Sequence, residues 1–308
     1  MLRTFFVAPD RRRETLTLFF SEVSSEEREE RVVEALAAAE SGELSLEGLV
    51  LAERAGRGVG AALVVSQPDG TAFVWPPVVT DALEPEEVAD ALLRTLAEHI
   101  DRDSQCWIAQ CLVEPDRTAD RNRLTRNGFP HLVDLLFLQR PLDQPLPVVT
   151  TPRFDVESFD PGGNRARFVD VVRRSYEGSL DCPELNGRRS AEEALRSHQA
   201  AGPFQPSLWR LYRVEGRDVG VILMAPHPDQ AVWELVYMGV VPEARGHGYG
   251  RAMLINALHA ARAASVESVF LSVDRRNHYA RALYQELGFF EVARRCVHAR
   301  FGPRGRGR

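Results

Sequence analysis

The sequence predicts a mixed α/β protein built in two halves, and three observations carry that prediction. β-rich runs alternate with amphipathic helical stretches through the second half. A proline-rich stretch at residues 141–152 (PLDQPLPVVTTP) interrupts both patterns midway. The order of elements before that stretch is a weaker copy of the order after it, which points to an internal duplication.

In the first half, residues 49–54, 59–66 and 72–79 read as a three-strand meander. A helix over 85–100, a strand over 107–113, a helix over 117–126 and, after Gly128-Phe129, a strand over 132–139 complete it. The second half opens with a strand over 153–159 and helices over 164–176 and 191–200. A second meander follows over 208–214, 219–225 and 232–241, its turns marked by Glu215-Gly216 and by residues 226–229. Residues 250–264 form a helix with Met253, Leu254, Ala257, Leu258 and Ala261 on one arc. A strand at 269–273, an amphipathic helix at 278–287 and, after Gly288-Phe289, two short strands near 290–292 and 296–301 end the pattern. The expected division is therefore a first domain 1–144, a linker 145–152, a second domain 153–302 and a flexible tail 303–308.

With 308 residues and 44% hydrophobic content, each half can build its own core. A net charge of −6 and a pI near 5.8 argue against a general nucleic-acid binder, and the three arginines after residue 301 read as a frayed end. No apolar run is long enough to span a membrane, and the first residues carry no secretory core, so a cytoplasmic protein with no membrane partner is expected. Cys106, Cys111, Cys182 and Cys296 show no paired or zinc-like spacing, so reduced thiols and no metal are expected.

The chemistry concentrates at residues 240–251 (VVPEARGHGYGR), between the last meander strand and the helix after it. Gly246, Gly248 and Gly250, at every second position, let the backbone approach a ligand and turn its amides inward. The helix that begins there adds the positive end of its dipole, so the site suits a pyrophosphate. Neither the dinucleotide fingerprint nor the P-loop is present.

Arg245-x-x-Gly248-x-Gly250 resembles the Arg/Gln-x-x-Gly-x-Gly/Ala signature of the GCN5-related N-acetyltransferase (GNAT) superfamily. Asn277, Ala280, Leu283, Tyr284 and Gly288-Phe289 are spaced as in that family. The resemblance covers about 150 residues, with the first half a degenerate copy, a layout similar to that of mycothiol synthase. It implies tandem GNAT folds, each a mixed, mostly antiparallel twisted sheet flanked by helices, and an acetyl-CoA-dependent N-acetyltransferase acting on a primary amine. The backbone at Val240 and Val241 would then bond the pantetheine arm. Arg245, Gly246, His247, Gly248, Tyr249, Gly250 and Arg251 would hold the pyrophosphate, mainly through main-chain amides; the side chains of His247 and Tyr249 face either solvent or ligand.

Glu234 interrupts an apolar strand, where an ionised carboxylate is costly without a partner or a task. It is either a general base, as in the histone acetyltransferases of the superfamily, or a strand-surface or substrate-clamping carboxylate. An alkyl amine with a pKa near ~10.4 is only about one part in a thousand neutral at pH 7, so a base has work there. Tyr284, aligned with Ala280 and Leu287, is a core aromatic by spacing; the resemblance makes it the general acid for the leaving thiolate. Asn277 is an N-cap by position and a coenzyme A contact by resemblance. The loop 177–189, with Trp209 and Tyr237, is expected to shape the acceptor pocket, with Cys182 a bystander.

Where the first half would carry its phosphate loop it has Pro76-Pro77 and then Asp81, Glu84, Glu86 and Glu87; Leu124 takes the tyrosine position. It is expected neither to bind coenzyme A nor to catalyse. The acceptor, an amine-bearing small molecule or peptide, is unnamed by the sequence. A non-catalytic acyl-CoA sensor and a protein acetyltransferase are the competing readings.

Overall fold

The computed structural model describes residues 1–81, 83–148 and 152–305. The middle of the expected linker (149–151) and the end of the expected tail (306–308) lie outside the described residues. Packing divides the chain into two units, Met1–Leu132 with Cys296–Arg308, and Val133–Arg295.

The first unit runs β1 (Leu2–Phe6), α1 (Arg12–Phe19), α2 (Ser25–Glu40), β2 (Leu49–Arg54), β3 (Arg57–Ser66), β4 (Thr71–Val79), α3 (Pro85–Arg102), β5 (Ile108–Val113) and α4 (Thr118–Arg126). Its strands lie in the order β1-β2-β3-β4-β5, antiparallel except for β4 against β5, which pair in parallel only at Thr71–Phe73 with Ile108–Gln110. One face is closed by α3, whose Val88, Leu92, Leu93, Leu96 and Ile100 are buried at i, i+4, i+5, i+8 and i+12. The other is closed by α1, whose Leu16 and Phe19 pack with Leu49, Leu51 and Leu63. Ser24 starts α2 by accepting from Glu27 N–H. The sequence reading assigned no element before residue 49, so β1, α1 and α2 are additions.

After β6 (His131–Pro141) the second unit runs β7 (Asp155–Ser158), α5 (Arg165–Ser175), α6 (Ala191–Ala200), β8 (Trp209–Val214), β9 (Arg217–His227), β10 (Val232–Val240), α7 (Tyr249–Ala263), β11 (Ser268–Asp274), α8 (His278–Glu286) and β12 (Phe290–Phe301). From β7 to α8 this is the element order of β1 to α4. The strands lie β7-β8-β9-β10-β11-β6, antiparallel except for β10 against β11, parallel at Val232–Glu234 with Ser268–Phe270. The expected arc of α7 is buried throughout. α6 begins with a reciprocal capping box between Ser190 and Glu193.

This division differs from the expected boundaries at 144 and 153–302. Residues 135–141 of β6, read as the end of the first domain, pair with β11. Residues 296–301, read as the end of the second, pair with β5 and belong to the first unit. Strand propensity sets that these segments are extended and leaves their partners open. Residues 290–301 form one continuous strand, where two were expected.

The described part of the proline-rich stretch is packed. Leu142 and Leu146 are buried in the second unit's core, and the carbonyls of Gln144, Pro145 and Pro147 accept from Arg262, Arg140 and His259. The start of the expected tail is likewise held: residues 303–305 make a single turn in which Arg304 N–H donates to Cys106 C=O and Gly305 is buried.

Candidate active site

The site begins where β10 and β11 part. They pair in parallel for three residues and then separate, while β10 stays on β9 with one extra residue, Val236, between Leu235 and Tyr237. A cavity of about 650 Å³ opens in the gap, walled by residues 235–240 of β10 and by Ser272 and Val273 of β11. Hydrogen-bonded and non-bonded pairs alternate in an antiparallel ladder. Val241 N–H donates to Val219 C=O at 3.1 Å. The amides of Gly239 and Val241 therefore face β9, and those of Met238 and Val240 face the cavity side. Val241 is buried and does not line the cavity, so of the two expected backbone contacts only Val240 is presented there.

At one end stands the glycine turn. Gly246 and Gly248 have φ of 78° and 74°, with nothing within 4 Å of a built Cβ, so glycine is required by the left-handed backbone and not by crowding. Gly248 is the N-cap of α7, makes no side-chain cap bond, and is followed by a first turn without an acidic residue. The amides of Tyr249, Gly250 and Arg251 have no intrahelical acceptor. Together with the dipole they form an anion-binding end.

The side chain of Arg245 serves the loop itself. It donates to the carbonyls of Val240 (3.1 Å), Glu177 (2.7 Å) and Ser175 (2.9 Å), tying the turn to the carbonyl end of α5. Arg251 pairs with Glu286 at 2.7 Å. His247 does not line the cavity; its ring stacks on Tyr249, and its Nδ1 bonds the carbonyl of Arg245, two residues back, at 2.8 Å. Tyr249 does line it.

α8 supplies the opposite wall with Ala280, Leu283 and Tyr284. Tyr284 is 7% exposed, yet its hydroxyl bonds to no group among the described residues. Burial, and then the charge of Asp181, push this phenol well above its ordinary range. Asn277 caps α8 by accepting from Ala280 N–H at 3.2 Å and also lines the cavity. The cap expected from its position is present, and the residue given as a coenzyme A contact by resemblance stands at the cavity.

Tyr237 lines the cavity from β10. Ser175 Oγ donates to Val172 C=O, so the 2.7 Å bond between Ser175 and Tyr237 has the tyrosine as donor. Gly239 is needed beside them, since a Cβ there would sit 2.4 Å from Ser175 Oγ. Behind Tyr237 stacks His198 of α6, which bonds Tyr176 at 2.9 Å; surrounding protein and then Arg189 hold this imidazole down at about 3, so it is neutral. Trp209, expected at the pocket, is 1% exposed and packs between Phe159 and Phe204.

Glu234 lies outside the cavity lining. The register sets it abreast of Ala225 and Phe270. With the extra residue at 236, it falls on the same sheet face as Tyr237. His227 Nε2 lies 3.2 Å from its carboxylate, and both side chains are about a quarter exposed (25% and 23%). An ionised carboxylate only accepts, so Nε2–H donates. Burial raises the Glu234 carboxyl, and the His227 bond opposes the rise.

The loop 177–189 reaches the cavity through Gly178, Ser179, Leu180 and Asp181. Sequence reasoning did not single out Asp181; an acidic loop residue has no signal of its own until its partner Asp274, 93 positions away, is placed beside it. Cys182 follows with φ of 44° and a thiol raised by burial, which leaves it protonated and weakly nucleophilic.

The first unit lacks these features at the matching positions. Register places Phe73 where Glu234 stands and Val79 where Val240 stands. Glu84 is the N-cap of α3, and the first turn of that helix holds Glu86 and Glu87. Arg54 pairs with Asp81, Glu84 and Glu87, and Arg123 and Arg126 hold Glu86 down at about 2. Carboxylates already occupy the positive end of that helix.

A model of the acetyltransferase (GNAT) family matches residues 174–289. A mycothiol acetyltransferase of Thermomonospora curvata is 32% identical over 252 residues, covering 81% of this chain and 79% of that protein. The chain belongs to the GNAT acetyltransferase family. Among solved structures, a GCN5-related N-acetyltransferase from Sphaerobacter thermophilus superposes on the GNAT chain with a TM-score of 0.66 at 20% identity, covering 100% of this chain and 97% of that one. A tandem GNAT protein from the clavulanic acid biosynthesis pathway covers 98% of each chain with a TM-score of 0.50 at 16% identity. The whole chain therefore has the tandem GNAT fold, and the family match falls on the unit with the glycine turn. No helix among the described residues is long and apolar enough to cross a membrane.

Proposed function

We propose that this acetyltransferase moves the acetyl group of acetyl-CoA to a primary amine by direct attack, in the second unit alone. One observation carries the reading: the acid-free start of α7 with no side-chain cap, the outward amides of β10 and the Tyr284 hydroxyl, unbonded among the described residues, belong to one cavity. The α7 turn holds the pyrophosphate, and Asn277 contacts the same cosubstrate. The Val240 amide bonds the acyl-pantetheine arm and stabilises negative charge on the thioester oxygen. Glu234, through water because it stands outside the lining, takes the proton of the ammonium. The N–C bond forms, the C–S bond breaks, and Tyr284 gives its proton to the departing sulfur.

The name of the Thermomonospora relative makes the mycothiol acceptor the first to try, beside small amines, aminoglycosides and peptides. The test follows free thiol release from acetyl-CoA with each. Release that depends on one acceptor supports transfer; tight binding without release on any acceptor marks a sensor; absence of binding refutes the site.

A further inference from the structure

Asp181 is the single carboxylate among the described residues that line the cavity of Tyr284. Its position is set by a reciprocal latch. Asp181 Oδ1 accepts from Asp274 N–H at 3.0 Å, and Asp274 Oδ2 accepts from Cys182 N–H at 3.0 Å. Asp274 is fully buried and pairs with Arg276, which also pairs with Glu184. Asn277 bonds Asp181 as well. The latch leaves Asp181 exposed at the cavity wall, so water reaches it from the space a substrate would fill.

The cations around that space are paired with other groups, and only the charge of Arg276 also reaches Asp181. Arg245 serves three carbonyls, Arg251 serves Glu286 and Arg276 serves Asp274 and Glu184. Asp181 forms no ion pair among the described residues. Burial raises the Asp181 carboxyl, and the Asp274 N–H and Asn277 bonds oppose the rise; a carboxylate exposed at a cavity wall, with lone pairs free toward the cavity, is a receptor for a positive hydrogen-bond donor.

We propose that Asp181 receives the ammonium group of the acceptor, so that the acceptor enters as a cation and is oriented toward the thioester before its proton is removed. The inference rests on the acetyl-transfer reading and deepens it: Asp181 sets the substrate class, and the base acts afterwards. It excludes neutral acceptors such as hydroxyl compounds of the same shape, which leave the carboxylate unpaired.

Asp181→Asn tests this in the full chain, because an amide oxygen can still accept from Asp274 N–H. Acetyl-CoA affinity is read by calorimetry, and KM and kcat are read for the best amine of the panel. Inhibition by that amine's hydroxyl counterpart is measured beside them. The amine KM is expected to rise about 10- to 30-fold, with acetyl-CoA affinity unchanged within about twofold. The wild-type preference for amine over hydroxyl compound should shrink in proportion. Asp181→Glu restores the charge one methylene further out, and its KM should fall between the two; it also serves if the asparagine variant folds poorly. An unchanged amine KM in Asp181→Asn overturns the inference, as does a loss of acetyl-CoA affinity equal to the rise in KM, which would make Asp181 a latch only. If the wild type itself releases no thiol with any amine, the transfer reading fails first and takes this inference with it.

Discussion

Replacing Tyr284 with phenylalanine separates chemistry from folding at this site. The hydroxyl bonds to nothing among the described residues, so its removal strands no partner, and the ring keeps its place against Phe289 at 5.5 Å. Stability should change by no more than about 0.5 kcal/mol. A general acid contributes about 10²- to 10⁴-fold, so kcat should fall by that factor, equivalent to about 2.7–5.4 kcal/mol of barrier. Alanine would be the wrong probe, since deleting a buried aromatic ring costs about 3–5 kcal/mol of stability. The assay pairs steady-state thiol release with urea denaturation of the same protein. A phenylalanine variant with kcat within about threefold of wild type would falsify the general-acid role. A variant less stable by more than about 1 kcal/mol would refute the claim that the hydroxyl is structurally idle.

Further outcomes follow from the same geometry. Burial raises the Glu234 carboxyl and the base proposed above acts in its ionised form, so kcat/KM should fall on acidification at a pH above the ordinary glutamate value of about 4.3. His227→Ala removes a bond that favours ionisation and should move that acidic limb further up; a limb that stays or moves down refutes the pairing. Gly248→Ala places a side chain at φ 74° and should cost about 1–2 kcal/mol in chemical denaturation together with acetyl-CoA affinity. Gly250→Ala, where the nearest atom to a Cβ is 3.5 Å away, should cost the fold under about 0.5 kcal/mol. Calorimetry should find one acetyl-CoA per chain, since Arg54, Arg123 and Arg126 already pair with the carboxylates at the start of α3; a second equivalent would refute the account of the first unit.

Much of the second unit was legible because its signals are local. β-rich runs bounded by turn residues gave β8 to β10, the apolar arc gave α7, and the glycines of residues 246–250 marked the turn. What stayed hidden depends on distant partners or on register. Val240 and Val241 are equivalent in sequence; only the ladder on β9 decides which amide faces the cavity. Trp209 looked available for a pocket until Phe159 and Phe204 enclosed it. His227 and Glu234 meet because a hairpin folds them together, and Asp181 acquires meaning only beside Asp274. The early elements were missed for a different reason: α2 buries only Val32 fully, so its charged sequence carries little helical periodicity.

The membership of residues 296–305 in the first unit bears on how the protein is made. During synthesis β1 to α4 leave the ribosome long before the strand that pairs with β5, so that edge must wait, unpaired, while some 160 further residues are translated. Cutting near residue 145 would free neither half intact: the leading fragment would lack its last strand, and the trailing one would lack β6 beside β11. Excision of the second unit therefore has to begin at residue 133 rather than after the prolines.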